Sequence, residues 1–263
     1  MGVSDQTREA VVRGDAVSDP TTPLSLNEID FYFTRAAVGA GAPFGIGEDF
    51  AEASRYLAYL GLDPARAALP ALHGLGRGQS GTSLTLRTAG DAIHVGSGDG
   101  LVLSALYAGP VIADRLSIES GCGMERRLRL DDTDQPLLVV GAVAAASFDA
   151  ARIALSWPLR NGGRAAVELS GGIATIAGPC AGDIASPGSS PIDIVLNGAA
   201  SEIAPERVST RSLADGRSRA VRHGVDVDDA ARATVLAFFN KCLVPTTDRS
   251  RDAGAGAGLT DND

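Results

Sequence analysis

The residues best suited to chemistry are three acids, Glu48, Asp49 and Glu52, at the start of a predicted helix. Glu48 and Glu52 are four residues apart, so they share one helical face. Paired carboxylates can act as general acid and base when burial separates their pKa values, and they can also bind a hard cation. The simpler alternative is that acids in a first helical turn complement the helix dipole and face water. We take these acids as candidate catalytic residues.

Four arginines are candidates for binding an anionic substrate. Arg35 and Arg55 belong to the two predicted N-terminal helices, whereas Arg249 and Arg251 belong to the C-terminal segment. The planar guanidinium group of arginine binds carboxylates and phosphates in a bidentate manner. The alternative for Arg35 and Arg55 is a salt bridge with an acid across the helical hairpin.

The sequence carries no motif for a metal or for a known cofactor. His73, His94 and His223 lack the short spacings of metal-binding histidines, so no metal site is predicted. The glycine-rich segment 39–47 has the wrong spacing for a dinucleotide fingerprint and follows a predicted helix instead of a strand. A tight helix–helix turn with close backbone contacts is the alternative. The cofactor and the reaction class stay unassigned, and enzyme and non-enzyme remain open.

The composition excludes two classes of partner. The chain has 263 residues and a net charge of -9. Nucleic acids and anionic membrane surfaces both attract basic proteins, so we expect neither as a partner. Three scattered cysteines without a C-x-x-C motif, together with a polar N-terminus, predict reduced thiols and a cytoplasmic location.

The N-terminal part of the chain is predicted to be helical over residues 24–73, after a flexible polar extension over residues 1–23. Ser25 and Glu28 have the spacing of a capping box, which predicts the start of the first helix. A second helix is expected over residues 48–60, and a short third one is possible from Pro64.

The rest of the chain is predicted to be sheet-rich over residues 84–222, with a helix over 226–243 and an acidic, glycine-rich tail over 244–263. Short apolar or alternating runs separated by turn residues predict mainly antiparallel strands, among them residues 101–107 and 137–143. Helices, then strands, then a helix indicate a single α+β domain over residues 24–243.

Both ends of the chain resemble an uncharacterised bacterial protein family, a domain of unknown function. The resemblance rests on the opening LSLNEI of residues 24–29, on residues 35–49, and on the ending SRxxGAGAGLTDND of residues 250–263. Phe50 stands where the family pattern has alanine after the acid pair. The resemblance implies no activity, cofactor or catalytic residue. It implies that the tail belongs to the family pattern, which favours a tail docked on the protein.

These observations together predict a cytoplasmic bacterial metabolic protein that handles a small polar molecule. We expect its site near the Gly39–Gly47 segment and the C-terminal tail. The alternative is a non-catalytic accessory subunit that docks on a partner enzyme through its tail. Either protein could also assemble as a homo-oligomer.

Overall fold

The computed structural model describes residues 19–90, 92–121, 123–146, 151–160, 162–178, 189–198 and 208–243. The helices of these residues are α1 (Leu26–Gly39), α2 (Phe44–Tyr59), α3 (Pro64–Gly76), α4 (Ala105–Ser120), α5 (Pro136–Ala145), α6 (Leu213–His223) and α7 (Asp229–Asn240). The strands are β1 (Thr21–Leu24), β2 (Ser80–Gly81), β3 (Leu84–Ala89), β4 (Ala92–Ser97), β5 (Val102–Leu103), β6 (Arg126–Thr133), β7 (Arg152–Pro158), β8 (Arg164–Ser170), β9 (Ile173–Ala177), β10 (Ser190–Leu196), β11 (Val208–Ser212) and β12 (Val225–Asp228). The predicted α+β class is confirmed.

The first helix begins where the capping box predicts. The side chain of Ser25 accepts a hydrogen bond from the backbone N–H of Glu28, and the Glu28 carboxylate accepts one from the Ser25 backbone N–H at 2.8 Å. These two bonds satisfy backbone donors that the helix itself leaves free. Ile29 and Phe33 lie one turn apart and are fully buried, so this face of α1 packs into the core.

The second helix begins four residues earlier than predicted. It starts at Phe44, directly after Pro43, and therefore contains Gly45 and Gly47 in its first turns. The connection from α1 is only residues 40–43. The third helix is longer than expected and ends at Gly76; it begins after Asp63, whose carboxylate accepts hydrogen bonds from two backbone N–H groups.

The predicted polar extension is wrong at its C-terminal end. Residues 21–24 form β1, which pairs antiparallel with β12 near the other end of the chain. The hydroxyl of Thr22 donates a hydrogen bond to the Asp229 carboxylate at 2.5 Å. A strand paired with a distant partner has no local signal, because its backbone hydrogen bonds go to residues about 200 positions away. Residues 1–18 lie outside the described residues.

The main sheet is mainly antiparallel, as predicted. Its described strands follow the order β11-β9-β8-β7-β10-β6-β4-β3, and the short β5 joins β2 to β6. Strands β4 and β5 lie parallel to β6, which they reach through the crossover helix α4. Parallel strands need such a crossover connection, whereas the hairpins of β7, β8 and β9 need only short turns.

Two strand predictions within this region are wrong. Residues 101–107 contain only the two-residue β5 and then enter α4, and residues 137–143 belong to α5. Helix α5 is buried along almost its whole length, among α2, α4 and β10. A helix that is apolar on every side shows no 3.6-residue pattern, so its sequence resembles that of a buried strand.

The C-terminal helix is shorter than predicted, and an additional helix precedes it. Residues 225–228 form β12 before α7 begins at Asp229. The carboxylate of Asp228 accepts a hydrogen bond from the backbone N–H of Ala231 at 2.8 Å and so caps α7. The unpredicted helix α6 buries only Gly216 and Ala220, so its sequence offers almost no apolar stripe. The predicted tail over residues 244–263 lies outside the described residues.

Candidate functional site

The three predicted catalytic acids all lie in the first turns of α2. Asp49 and Glu52 line a small cleft of about 160 Å³, together with Asp114 from α4, whereas Glu48 lies beside Asp49 in the chain. Burial raises the pKa of the Asp49 carboxyl, and the negative charges of Asp114 and Glu48 raise it further. We call Asp49, Glu52 and Asp114 the acid cleft. The sequence placed the first two together, but it gave no reason to add Asp114.

The two predicted substrate-binding arginines of the hairpin make other contacts. Arg55 donates a hydrogen bond to Asp30 of α1 at 3.1 Å, and it lies 3.8 Å from Glu52. This is the salt bridge across the hairpin that the sequence offered as an alternative. Arg35 lies over the ring of Phe31 at 3.9 Å, and its carbonyl accepts a hydrogen bond from the Cys242 thiol.

The structure therefore does not join Arg35 to the acids of α2. Among the described residues, no hydrogen bond or ion pair links Arg35 to Glu48, Asp49 or Glu52. Arg249 and Arg251 lie outside the described residues, so their role stays a prediction.

The glycines of the Gly39–Gly47 segment allow close helix packing. A Cβ atom at Gly39 would lie 1.9 Å from the carbonyl oxygen of Phe238 in α7, and one at Gly47 would lie 2.6 Å from the carbonyl oxygen of Thr34 in α1. Both distances are too short for any side chain. The alternative interpretation of the segment, close backbone contact between helices, describes what the structure shows.

A larger cavity of about 250 Å³ lies between α2, α5, α6 and the turn that joins β8 to β9. We call it the Tyr–Arg pocket. It is lined by Tyr56, Tyr59, Val143, Ala144, Leu169, Ser170, Gly171, Gly172, Ile173, Leu213, Ala214 and Arg217. Its walls are mostly aliphatic, and its polar side chains are two phenols, one hydroxyl and one guanidinium group. An apolar cavity with a few convergent polar groups is the usual form of a small-molecule site.

The two tyrosines and Arg217 set the polarity of this pocket. The rings of Tyr56 and Tyr59 lie 5.1 Å apart, and Tyr59 is buried. Burial raises the pKa of Tyr59, while the positive charges of Arg55 and Arg217 oppose that rise. The phenol of Tyr59 is therefore neutral near pH 7 and can donate a hydrogen bond.

Gly216 explains how Arg217 comes to lie beside Tyr59. A Cβ atom at Gly216 would lie 2.0 Å from the carbonyl oxygen of Tyr59, so α6 can approach α2 this closely only with glycine at that position. The next residue along the chain, Arg217, then lies at the pocket. Within the described part of the chain, Arg217 forms no ion pair, and its charge is free for a ligand.

A second depression, of about 440 Å³, lies near the start of β5 and is lined in part by Asp131, Asp132 and Arg129. Its cation is already neutralised, because Arg129 donates a hydrogen bond to Asp193 at 2.8 Å. Of these two larger cavities, the Tyr–Arg pocket is the one whose arginine has no carboxylate partner among the described residues.

Among the described residues, no three or more His, Cys, Asp or Glu side chains, the acid cleft included, are arranged so that they could hold a metal ion. His73 packs edge-on against the ring of Phe238 at 5.4 Å. Burial lowers the pKa of His73, and the charges of Arg77 and Lys241 lower it further. Lys241 itself lies 4.1 Å above the same ring.

Sequence reasoning missed the residues of the Tyr–Arg pocket because they are far apart in the chain. Tyr56 and Arg217 are separated by about 160 residues, and only packing brings them together. One local signal was present: Gly171 and Gly172 both have positive φ values, of 54° and 73°, in the two-residue turn of a hairpin. Such a Gly-Gly turn between two strands marks one wall of the pocket.

Comparison with known proteins identifies the opening segment. Residues 24–73 match the model of DUF3726, a family of proteins of unknown function. This confirms the resemblance to an uncharacterised family, and the matched residues are those of α1, α2 and most of α3. No curated protein matches the chain in sequence. Among the described helices, none is both long and apolar enough to cross a membrane.

Several solved structures share the fold at very low sequence identity. A dehydrogenase from Sinorhizobium meliloti has a TM-score of 0.59 at 10% identity, over 84% of this chain and 99% of that one. Malate dehydrogenase from Entamoeba histolytica has a TM-score of 0.53 at 6% identity, over 86% and 99%. Δ1-piperideine-2-carboxylate reductase from Pseudomonas syringae pvar. tomato has a TM-score of 0.52 at 12% identity, over 83% and 100%. These likenesses concern the fold alone.

Proposed function

We propose that the protein is a cytoplasmic metabolic protein that binds a small organic acid in the Tyr–Arg pocket. The observation that carries the proposal is the Arg217 guanidinium group, which has no partner among the described residues and lies at an otherwise mostly aliphatic cavity. Val143, Leu169 and Ile173 displace water from the ligand. Arg217 itself is exposed, so its positive charge is open to a carboxylate that enters the cavity from solvent.

The tyrosines favour the same kind of ligand. The neutral hydroxyl of Tyr59 can donate a hydrogen bond to a carboxylate or carbonyl oxygen. Because it carries no negative charge, it does not repel an anion. Because the protein as a whole carries a net charge of -9, an anion needs a local positive charge to bind at all. Arg217 supplies that charge at the pocket.

The names of the structural neighbours are consistent with this ligand class. Two of them act on small carboxylic acids by name, malate and Δ1-piperideine-2-carboxylate. A third is a sulfolactate dehydrogenase from Methanocaldococcus jannaschii, with a TM-score of 0.54 at 7% identity. The shared fold supports a metabolic role for this chain, and the acid itself is the part that we propose.

The acid cleft is a second candidate site, because its carboxyl groups have the chemistry of an acid–base pair. The raised pKa of Asp49 brings its carboxyl closer to the range useful in proton transfer. We therefore propose, as the sequence predicted, that Glu48, Asp49 and Glu52 are catalytic residues. If these acids act in catalysis, D49N should lower the turnover of a substrate bound at the acid cleft and leave organic-acid binding in the Tyr–Arg pocket unchanged.

Isothermal titration calorimetry with malate, sulfolactate and Δ1-piperideine-2-carboxylate tests the main proposal. The matched variants are R217Q and R222Q, which remove one arginine each from α6. Arg222 is an exposed residue of the same helix outside the pocket lining, and its guanidinium donates a hydrogen bond to the Ser218 carbonyl at 3.1 Å.

We expect at least one acid to bind, with R217Q weakening it about tenfold or more and R222Q leaving it unchanged. A hydrogen bond to a charged group contributes roughly 1.5–3 kcal/mol, which corresponds to this loss. The dimethyl ester of malate, which is neutral, should not bind. Equal binding by R217Q and the wild type would refute the proposal. If none of the acids binds, the accessory-subunit alternative becomes the working hypothesis.

A further inference from the structure

Arginines gather on α6 and at the end of β11, on a protein that is acidic overall. Arg211, Arg217 and Arg219 form no ion pair with any carboxylate that the structure describes, whereas nine of the other fourteen described arginines do. Like charges that lie close together repel one another unless an anion lies between them. All three residues are exposed, so the patch is open to an anion from solvent.

Two of these guanidinium groups meet beside Gly61. A Cβ atom at Gly61 would lie 3.6 Å from Nη2 of Arg219 and 3.9 Å from Cζ of Arg211, and these are the two atoms nearest to it. Gly61 has a φ value of 72°, which favours glycine, so no side chain stands between its backbone and the two guanidinium groups. Gly216 lets α6 pack directly on the backbone of α2. This contact places Arg219 beside Gly61, at the C-terminal end of α2.

The end of α2 does not account for both positive charges. Its last turn is closed by its own backbone: Gly61 N–H donates to the Ala58 carbonyl at 2.9 Å, and Leu62 N–H donates to the Leu57 carbonyl at 3.0 Å. The helix dipole contributes only about half a negative charge at a C-terminus. Two guanidinium groups exceed that charge severalfold, so most of their positive charge stays unmatched.

We propose that Arg211 and Arg219 bind a phosphate-sized oxyanion beside Gly61, at a site separate from the Tyr–Arg pocket. The lining of that pocket does not include Arg211, Arg219 or Gly61. The ligand class is a phosphorylated small molecule, because the two planar guanidinium groups present several donors to one compact, doubly charged group. This inference goes beyond the proposed function and does not depend on it.

Titration of the full-length protein with inorganic phosphate, followed by calorimetry at constant ionic strength, tests the site. We expect saturable binding in the millimolar range, and we expect sulfate to compete. R211Q and R219Q should each weaken phosphate binding at least fivefold, and the double variant should abolish it. R222Q removes an arginine from the same helix without changing the groups at Gly61, so it should bind phosphate as the wild type does.

Three results would overturn the proposal. One is the absence of saturable phosphate binding by the wild type, and another is unchanged binding by the double variant. The third is phosphate binding that appears only after residues 244–263 are removed, since the carboxylates of Asp261 and Asp263 would then be the natural occupants. Organic-acid binding in the Tyr–Arg pocket is measured separately with R217Q, so the two proposals can fail independently.

Discussion

The carboxyl group of Asp134 is buried at the junction of α4, α5 and β2. It is 7% exposed and accepts hydrogen bonds from the Ala105 backbone N–H at 2.9 Å and from the Ser80 hydroxyl at 2.7 Å. Burial raises the pKa of this carboxyl to about 6, although its hydrogen bonds oppose the rise. We therefore predict that D134N changes how the stability of the protein depends on pH.

The magnitude follows from the difference between the folded and unfolded pKa values. The pKa is 3.8 in the unfolded chain and about 6 in the folded protein. Well below pH 3.8 the group is protonated in both states, so the stability is full. As the pH rises toward and past 6, the unfolded state releases its proton first, and the wild type loses up to about 3 kcal/mol, at 1.36 kcal/mol for each pKa unit.

Asparagine mimics the protonated acid and does not titrate. Its amide oxygen can still accept from Ala105 N–H, and its amide NH₂ can donate to the Ser80 oxygen, so D134N should fold. Relative to the wild type, the free energy of unfolding of D134N should therefore rise by about 2.4 kcal/mol between pH 4 and pH 7.

Urea denaturation at pH values from 4 to 8 measures this difference. D132N, which removes an exposed carboxylate from the end of β6, two residues before Asp134, controls for the loss of one negative charge in this region. A difference between D134N and the wild type that changes by less than about 1 kcal/mol between pH 4 and pH 7 would show that burial does not penalise the ionised carboxyl. That result would refute the reasoning.

Three other substitutions should destabilise the protein, a fourth serves as a control, and urea denaturation checks each. S25A removes the side-chain cap of α1 and should cost about 1 kcal/mol. G47A forces a side chain against the backbone of α1 and should cost at least about 2 kcal/mol, whereas G45A, in open space two residues earlier, should be neutral or stabilise by up to about 1 kcal/mol. G216A should destabilise the protein in the same way as G47A. If G216A folds, the displacement of α6 should also weaken organic-acid binding. Unchanged affinity would show that binding in the pocket does not depend on this contact between α6 and α2.

Local signals in the sequence were enough to locate the N-terminal helices. The capping box of Ser25 and Glu28 operates within one turn, and Asp63 with Pro64 marks the start of α3 in the same way. The clustering of acids near the start of α2 is also local. The start of α2 itself was predicted four residues too late, because glycines usually signal a loop and here they allow close helix packing instead.

The sequence could not distinguish a buried helix from a buried strand. Helix α5 is buried on all sides, so its residues are nearly all apolar. The pattern of polar and apolar residues that distinguishes the 3.6-residue period of a helix from the two-residue period of a strand is therefore missing. Strand β1 escaped prediction for a related reason, because its partner β12 lies at the far end of the chain.

Both proposed binding sites were decided by the tertiary structure. Tyr59 and Arg217 become neighbours because Gly216 lets α6 touch the backbone of α2, and the same contact brings Arg219 beside Gly61. No residue pattern within a few positions encodes such a contact, since its free energy comes from packing between segments far apart in the chain. The sequence by itself determined the starts of α1 and α3, the α+β class and the acidic charge, because those depend on neighbouring residues and on composition. Only the folded chain decided which cations meet without a carboxylate between them.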